Sequence, residues 1–338
     1  MSELYFGIEI EIYVSPKGNL KEKILKNNWH NGINSRVKDD KKWNQNLQWL
    51  RRGLVEVLIA ADVKAGLIVS KDHIQWAIVE ETIDPFERYW GVELVSMVLN
   101  KPEDLNRELD VIFSTLYKWT NVATLPASCG THIHVSLSGP GTFLNRPKGF
   151  KLDQLKALLK AVALYERPII QILPTSRKQI QYAVPNFSST TPHKEMQPLY
   201  DQVQKKGWHP LFEYIRKQKN QDNIINLAGN SKSDHTKRYT AWNFSNIGND
   251  RRTLEFRSPP GVVTSEDAKF WAAFTVAFVS GAIYAEEKTW QPEESVKTYY
   301  NIPSLQTFIR IGASHLADSQ LWNKALLLER KDIWKKQK

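Results

Sequence analysis

Three short segments of this chain carry chemically capable side chains two residues apart. Glu9 and Glu11 flank Ile10, His132 and His134 flank Ile133, and Glu255 and Arg257 flank Phe256. In an extended strand that spacing puts both polar groups on one face, about 7 Å apart, with the apolar residue on the other. Paired carboxylates offer hard oxygen donors to a divalent cation, paired imidazoles suit a metal or a substrate, and an acid beside an arginine suits charge-balanced anion binding. Each pair alone is also what a half-covered sheet shows to water, so the argument lies in the recurrence. With Glu93 in Trp90–Ser96 and the neighbouring Glu80, five carboxylates and two histidines fall on strand-like segments. If those strands share a sheet, their polar faces make an acidic, histidine-containing concavity suited to Mg²⁺ or Mn²⁺ and nucleotide phosphates.

The elements that must position these groups are read from periodicity. Leu4 to Tyr13 alternates as a strand, and Trp43, Leu47, Leu50, Leu54, Val57 and Leu58 recur at helical spacing within Lys41 to Leu67. Ile74 to Val79 and Trp90 to Val98 read as strands, and Pro102-Glu103-Asp104 opens a helix carrying Leu105, Leu109, Ile112 and Leu116 on one face. His132 to Leu137 is strand-like, and Leu152 to Tyr165 is helical until Pro168 stops it. A polar stretch at about 174–234 reads as a variable loop or lid, with only Leu211 to Ile215 suggesting a short helix. Ala241 to Phe244 and Thr253 to Ser258 follow as strands, Ser265 to Ala285 as a buried helix, and about 304–335 as C-terminal helices. This order lacks a regular βαβα beat. It predicts an α+β fold, with a mainly antiparallel sheet, helices packed on one face and the active site on the other, in a single catalytic domain over 1–338.

Composition removes several function classes. The chain has 338 residues, 41% of them hydrophobic, enough for a substantial core. Its one cysteine, Cys129, excludes an internal disulfide and suits a reducing, cytoplasmic setting. The N-terminus has no basic region and carries Glu3, Glu9 and Glu11, so it does not read as a signal peptide. Phe270 to Ala285 is too short for a membrane span and is interrupted by Thr275, Ser280 and Gly281. A net charge of +10 would suit nucleic-acid binding, but the basic residues are spread thinly and no recognition motif accompanies them.

Four blocks, taken in order, resemble a known family. They are Phe6-Gly7-Ile8-Glu9-Ile10-Glu11, Gly91-Val92-Glu93-Leu94-Val95-Ser96, Cys129-Gly130-Thr131-His132-Ile133-His134-Val135 and Thr253-Leu254-Glu255-Phe256-Arg257. The set is similar to the amidoligases, a branch of the carboxylate-amine ligases that includes glutamine synthetase and glutamate-cysteine ligase. The resemblance implies a glutamine synthetase-like sheet and an ATP-dependent enzyme joining a small-molecule or peptide carboxylate to an amine, with Mg²⁺ or Mn²⁺ as cofactor. It implies that Glu9, His132 and Glu255 hold the metal bridging the ATP phosphates, and that Glu11, Glu93 and Glu80 hold the metal beside the acceptor carboxylate. His134 would face the substrate, Arg257 and Arg238 would bind the transferred phosphoryl group, and Arg177 would contact phosphate or substrate.

The chain departs from the family pattern where Glu80-Glu81 replaces an expected aspartate, which leaves both as candidate ligands, and where Ser96-Met97 replaces Ser-Pro. The implied chemistry is phosphorylation of a carboxylate to an acyl phosphate, followed by attack of an amine. Two other readings compete. A phosphotransferase of the guanidino-kinase type would stop at phosphoryl transfer, and a zinc hydrolase would draw on Cys129, His132 and His134, although Cys129 and His132 fall on opposite faces of a regular strand. The substrate pair, the general base and the oligomeric state, a homo-oligomer included, are open.

Overall fold

The computed structural model describes residues 4–31, 41–81, 88–124, 128–139, 149–178, 180–187, 196–230, 238–286, 290, 296–319 and 322. The chain divides into two compact units. The first comprises Met1–Phe6, His132–Pro259 and Phe270–Lys338, and the second comprises Gly7–Thr131 and Pro260–Lys269.

In the second unit, β1 (Tyr5–Pro16) pairs antiparallel with β4 (Trp90–Val95), which pairs antiparallel with β3 (Trp76–Glu80). β2 (Ala65–Gly66) adds a short parallel edge to β3, and β5 (Thr120–Ala123) lies antiparallel to the end of β1. Ile8, Ile10, Ile12, Val92, Leu94 and Ile78 are fully buried. Helix Lys41–Ile59 packs on β3 through the expected apolar stripe. Its Arg51 donates from Nε to the Ile78 carbonyl at 2.9 Å and from Nη2 to the Leu67 carbonyl at 2.7 Å. Helix Pro102–Trp119 packs on this helix, and its Glu108 accepts from the Trp76 indole at 3.2 Å.

The helix expected to reach Leu67 stops at Ile59. Asp62 takes a left-handed φ of 64° and the Val63 amide turns back to the Leu58 carbonyl at 3.0 Å, a helix-ending bond that frees Ala65–Gly66 to become the edge strand.

In the first unit, β8 (Leu254–Phe256) lies between β6 (Thr131–Ser136) and β7 (Trp242–Asn243), antiparallel to both. The apolar face is aromatic. Trp242 stacks on Phe256 at 4.3 Å and on Phe278 of helix Ser265–Tyr284 at 4.5 Å. Helix Ile302–Ser314 packs so closely on helix Ser265–Tyr284 that a Cβ on Gly312 would lie 1.9 Å from the Ala277 carbonyl oxygen.

Two further expectations change here. Helix Leu152–Ile172 runs through Pro168, because Ile169 and Ile172 continue the buried stripe and their burial outweighs one lost backbone bond. The polar stretch contains helices Met196–Asp201, Val203–Lys206, His209–Arg216 and Gln221–Leu227, with Met196, Tyr200, Val203, Leu211, Phe212, Ile215, Ile224 and Ile225 buried. Leu211 to Ile215 is the one helix expected here; the other three span at most two turns and are fixed by tertiary burial rather than by a sustained period. Of the expected C-terminal helices, the part at 320–321 and 323–335 lies outside the described residues.

The architecture is α+β, with mainly antiparallel strands and helices packed against them. Among the described residues no helix is long and apolar enough to cross a membrane.

Candidate functional site

The alternation of β1 decides where its acids go. Ile8, Ile10 and Ile12 are buried, so Glu9 and Glu11 stand on the opposite face. Register then selects their neighbours. Glu11 lies directly opposite Glu93 and Glu9 opposite Val95, while Glu93 also lies opposite Val79 of β3. Two residues beyond Val79, Glu81 shares that face, and carboxylate oxygens of Glu11, Glu81 and Glu93 lie within 4.8 Å of one another. Strands β1 and β4 and the residue just past β3 thus supply one oxygen-donor cluster.

Glu80 falls on the other face, opposite Val92. There it opposes the lowering of the Arg51 pKa, which burial of the guanidinium causes. Of the two adjacent acids, Glu81 is the one the structure groups with Glu11 and Glu93.

Glu11 is further anchored by Gly130, an interaction that strand periodicity does not reveal. The Glu11 amide donates to the Gly130 carbonyl at 3.0 Å, and its Oε2 accepts from the Gly130 amide at 2.5 Å. Gly261 holds that segment from the other side, its amide donating to the Cys129 carbonyl at 2.9 Å. A Cβ on Gly261 would lie 2.5 Å from the Cys129 Cβ, so the close approach needs glycine. Cys129 itself is fully buried against Tyr13, and no metal-capable group among the described residues includes it.

The first unit builds a different cluster around Glu255, which is 2% exposed. Cross-strand pairing sets His134 on one side of it and Asn243 on the other. Its Oε1 takes a charge-assisted bond from Arg257 Nη1 and lies 3.8 Å from His132 Nδ1 and 3.7 Å from His134 Nε2. Its Oε2 accepts from Asn243 Nδ2 at 2.7 Å and Asn246 Nδ2 at 3.2 Å. Thr253 Oγ1 sits 3.1 Å from His134 Nδ1 and orients that ring.

Arg257 is held along its whole length. Its amide donates to the Ala241 carbonyl at 2.9 Å and its Nε to the Tyr182 carbonyl at 3.2 Å. Arg177, expected to contact phosphate or substrate, is instead 4% exposed and donates to the carbonyls of Arg257 at 2.8 Å and Ser258 at 3.2 Å. That makes it a brace for the turn after β8. Arg238 is exposed and packs over the Tyr239 ring at 5.3 Å.

Sequence reasoning did not single out Asn243, Asn246, Thr253, Gly130 or Tyr182. Only Thr253, inside a quoted strand block with phase opposite to Leu254, carried a signal that strand alternation could have used. The asparagines reach Glu255 from a two-residue strand and the turn after it, where no period exists to read.

A family model described as "Putative amidoligase enzyme" matches residues 2–279. A search of curated proteins finds no match. Among solved structures the chain is similar to glutamine synthetase from Plasmodium falciparum, at 12% identity and a TM-score of 0.39. That alignment covers 84% of this chain and 52% of the other, so the chain spans about half the length of that enzyme. Because the family model matches most of its length, this chain belongs to the amidoligase family, whose name denotes ligase-type enzymes.

Proposed function

We propose that this chain is an ATP-dependent carboxylate-amine ligase that forms an amide bond through an acyl phosphate, with Mg²⁺ or Mn²⁺ as its cation. The observation that carries the reading is the clustering of Glu11, Glu81 and Glu93 oxygens within 4.8 Å. At an effective dielectric constant of about 20, two unit charges at that distance repel by roughly 3.5 kcal/mol. Three ionised carboxylates therefore favour a divalent cation, and an all-oxygen donor set fits Mg²⁺ or Mn²⁺. Cys129 is buried and belongs to no such group among the described residues, which counts against the zinc-hydrolase reading. Such a cation, when bound, screens the repulsion between the ATP phosphates and the acceptor carboxylate.

The residues of the chain supply position and charge. The substrate carboxylate oxygen attacks the γ-phosphorus, the bond to ADP breaks, and the amine nitrogen then attacks the acyl carbon to expel phosphate and lose a proton. Arg257 is locked by Glu255 through Nη1 and by the Tyr182 carbonyl through Nε, and its fixed positive charge would neutralise the transferring phosphoryl group. Thr253 holds the His134 ring on the same strand face as Glu255.

Hydroxylamine capture tests this. Protein, ATP, Mg²⁺ and a panel of carboxylic acids should yield a hydroxamate and ADP for the true acid. A stable phosphorylated product would support the phosphotransferase reading, AMP would mean adenylation, and ATP-independent hydrolysis blocked by a zinc chelator would restore the hydrolase.

A further inference from the structure

Beside the Glu255 cluster the first unit exposes an aromatic surface that the proposed chemistry has not used. Among the described residues only two aromatic side chains are prominent on the surface, Tyr117 at 43% and Tyr182 at 47% exposure. Tyr117 is engaged through its hydroxyl, which donates to the Val263 carbonyl. Tyr182 meets the Tyr239 ring edge to face, with centroids 5.6 Å apart at 77°. Two guanidinium groups flank that pair. Arg238 lies 5.3 Å and Arg257 5.7 Å from the centre of the Tyr239 ring.

The mounting is rigid. The Val184 amide donates to the Tyr239 carbonyl at 2.8 Å and the Ala241 amide to the Val184 carbonyl at 2.7 Å, a parallel bridge that fixes one tyrosine against the other. Beneath it, the buried Asn186 side chain bonds the Trp242 amide and carbonyl and the Ala228 carbonyl. Arg257 joins this surface to the polar cluster, because one guanidinium bonds the Tyr182 carbonyl and the Glu255 carboxylate.

We propose that Tyr182 and Tyr239, flanked by Arg238 and Arg257, form a ledge on which the base of the bound nucleotide stacks, its phosphates reaching the two guanidinium groups. The proposal rests on the ATP-dependent reading above. An exposed ring in an edge-to-face pair offers a flat π surface, which every nucleobase can cover, and the flanking cations suit a ligand that is planar at one end and polyanionic at the other.

The test separates base from phosphate. Binding of ATP and of inorganic tripolyphosphate, each with Mg²⁺, is measured by calorimetry for the full chain and for Tyr182→Ala, Tyr182→Leu and Tyr182→Phe. Removing the ring in the Ala and Leu variants should weaken ATP binding about tenfold, while Phe retains it and tripolyphosphate binding stays within about twofold throughout. The Leu variant keeps an apolar contact for Tyr239, so the reading does not depend on the Ala variant folding. Unchanged ATP affinity without the ring, or equal losses for ATP and tripolyphosphate, would overturn the ledge. If the unaltered protein binds neither probe, the ledge and the ATP-dependent reading fall together. If ATP binding depends on Tyr182 but the nucleotide product is AMP, the ledge stands and the acyl-phosphate reading fails.

Discussion

The two polar clusters handle negative charge in opposite ways. Glu255 is deeply buried and carries its own compensation, a guanidinium and two side-chain amides on one carboxylate. Glu11, Glu81 and Glu93 stand on a half-exposed sheet face and gather like charges, with a backbone amide from Gly130 on Glu11. The first arrangement sets a cationic side chain on its carboxylate, whereas the second gathers acids alone and favours a cation from solution. A further buried acid shows what burial does when no guanidinium among the described residues bonds the carboxylate directly. Glu166 is 4% exposed, its Oε2 accepts from the Phe187 amide at 2.8 Å, and burial pushes its pKa up to about 8.

This contrast can be broken most directly at Glu255. Changing it to Gln keeps the shape but removes the charge that orients Arg257, and ATP turnover should fall by about a hundredfold or more, on the scale of losing one preorganised electrostatic contact. Turnover within a fewfold of the parent in a well-folded variant would return Glu255 to a merely structural role.

The second cluster should respond to metal rather than to its own side chains. Titration with Mg²⁺ or Mn²⁺ should raise the melting temperature, since a ligand that binds the folded state stabilises it. Glu81→Gln and Glu11→Gln should weaken that binding by about tenfold or more, as lost metal-site contacts do. Glu80→Gln, on the opposite face, should leave it unchanged. Equal effects of Glu80→Gln and Glu81→Gln would refute the assignment by register.

A smaller effect is expected behind Arg257. Arg177→Met leaves the Arg257 and Ser258 carbonyls without its donors, which costs about 1–3 kcal/mol where the groups stay buried. It should lower kcat through misplacement of Arg257 while leaving the metal-induced rise in melting temperature intact. A loss of that metal response would contradict the separation of the two roles.

The smallest concerns Glu166 and pH. Because its folded pKa lies at about 8, above the ordinary 4.5, the folded state holds a proton that the unfolded chain releases between those values. Its contribution to stability therefore falls as pH rises through that window. Glu166→Gln, which retains an acceptor for the Phe187 amide, should remove this part of the slope, so the melting temperatures of variant and parent diverge steadily from about pH 5 to pH 8. Parallel curves would show that Glu166 does not titrate as its burial implies.

Much of this arrangement was legible in the sequence because strand alternation has a period of two. Glu9-Ile10-Glu11 and Leu254-Glu255-Phe256-Arg257 each declare which residues share a face once the apolar ones are assigned to the core. Asn243 and Asn246 were not legible, since nothing local marks residues that act through a partner 12 and 9 positions away. Arg177 had the right residue type for an anion site, but residue type does not say whether carbonyls claim its donors first.

By itself the sequence determined the α+β class, the four ordered blocks and the face of β1, β4 and β8 that each charged residue occupies, because local periodicity and burial of apolar residues settle these within a single element. The tertiary structure alone placed Glu81, and not Glu80, beside Glu11 and Glu93. Adjacent residues in an extended strand point to opposite faces, so the choice depends on the pairing of Val79 with Glu93, and a slip of one residue would exchange the two acids.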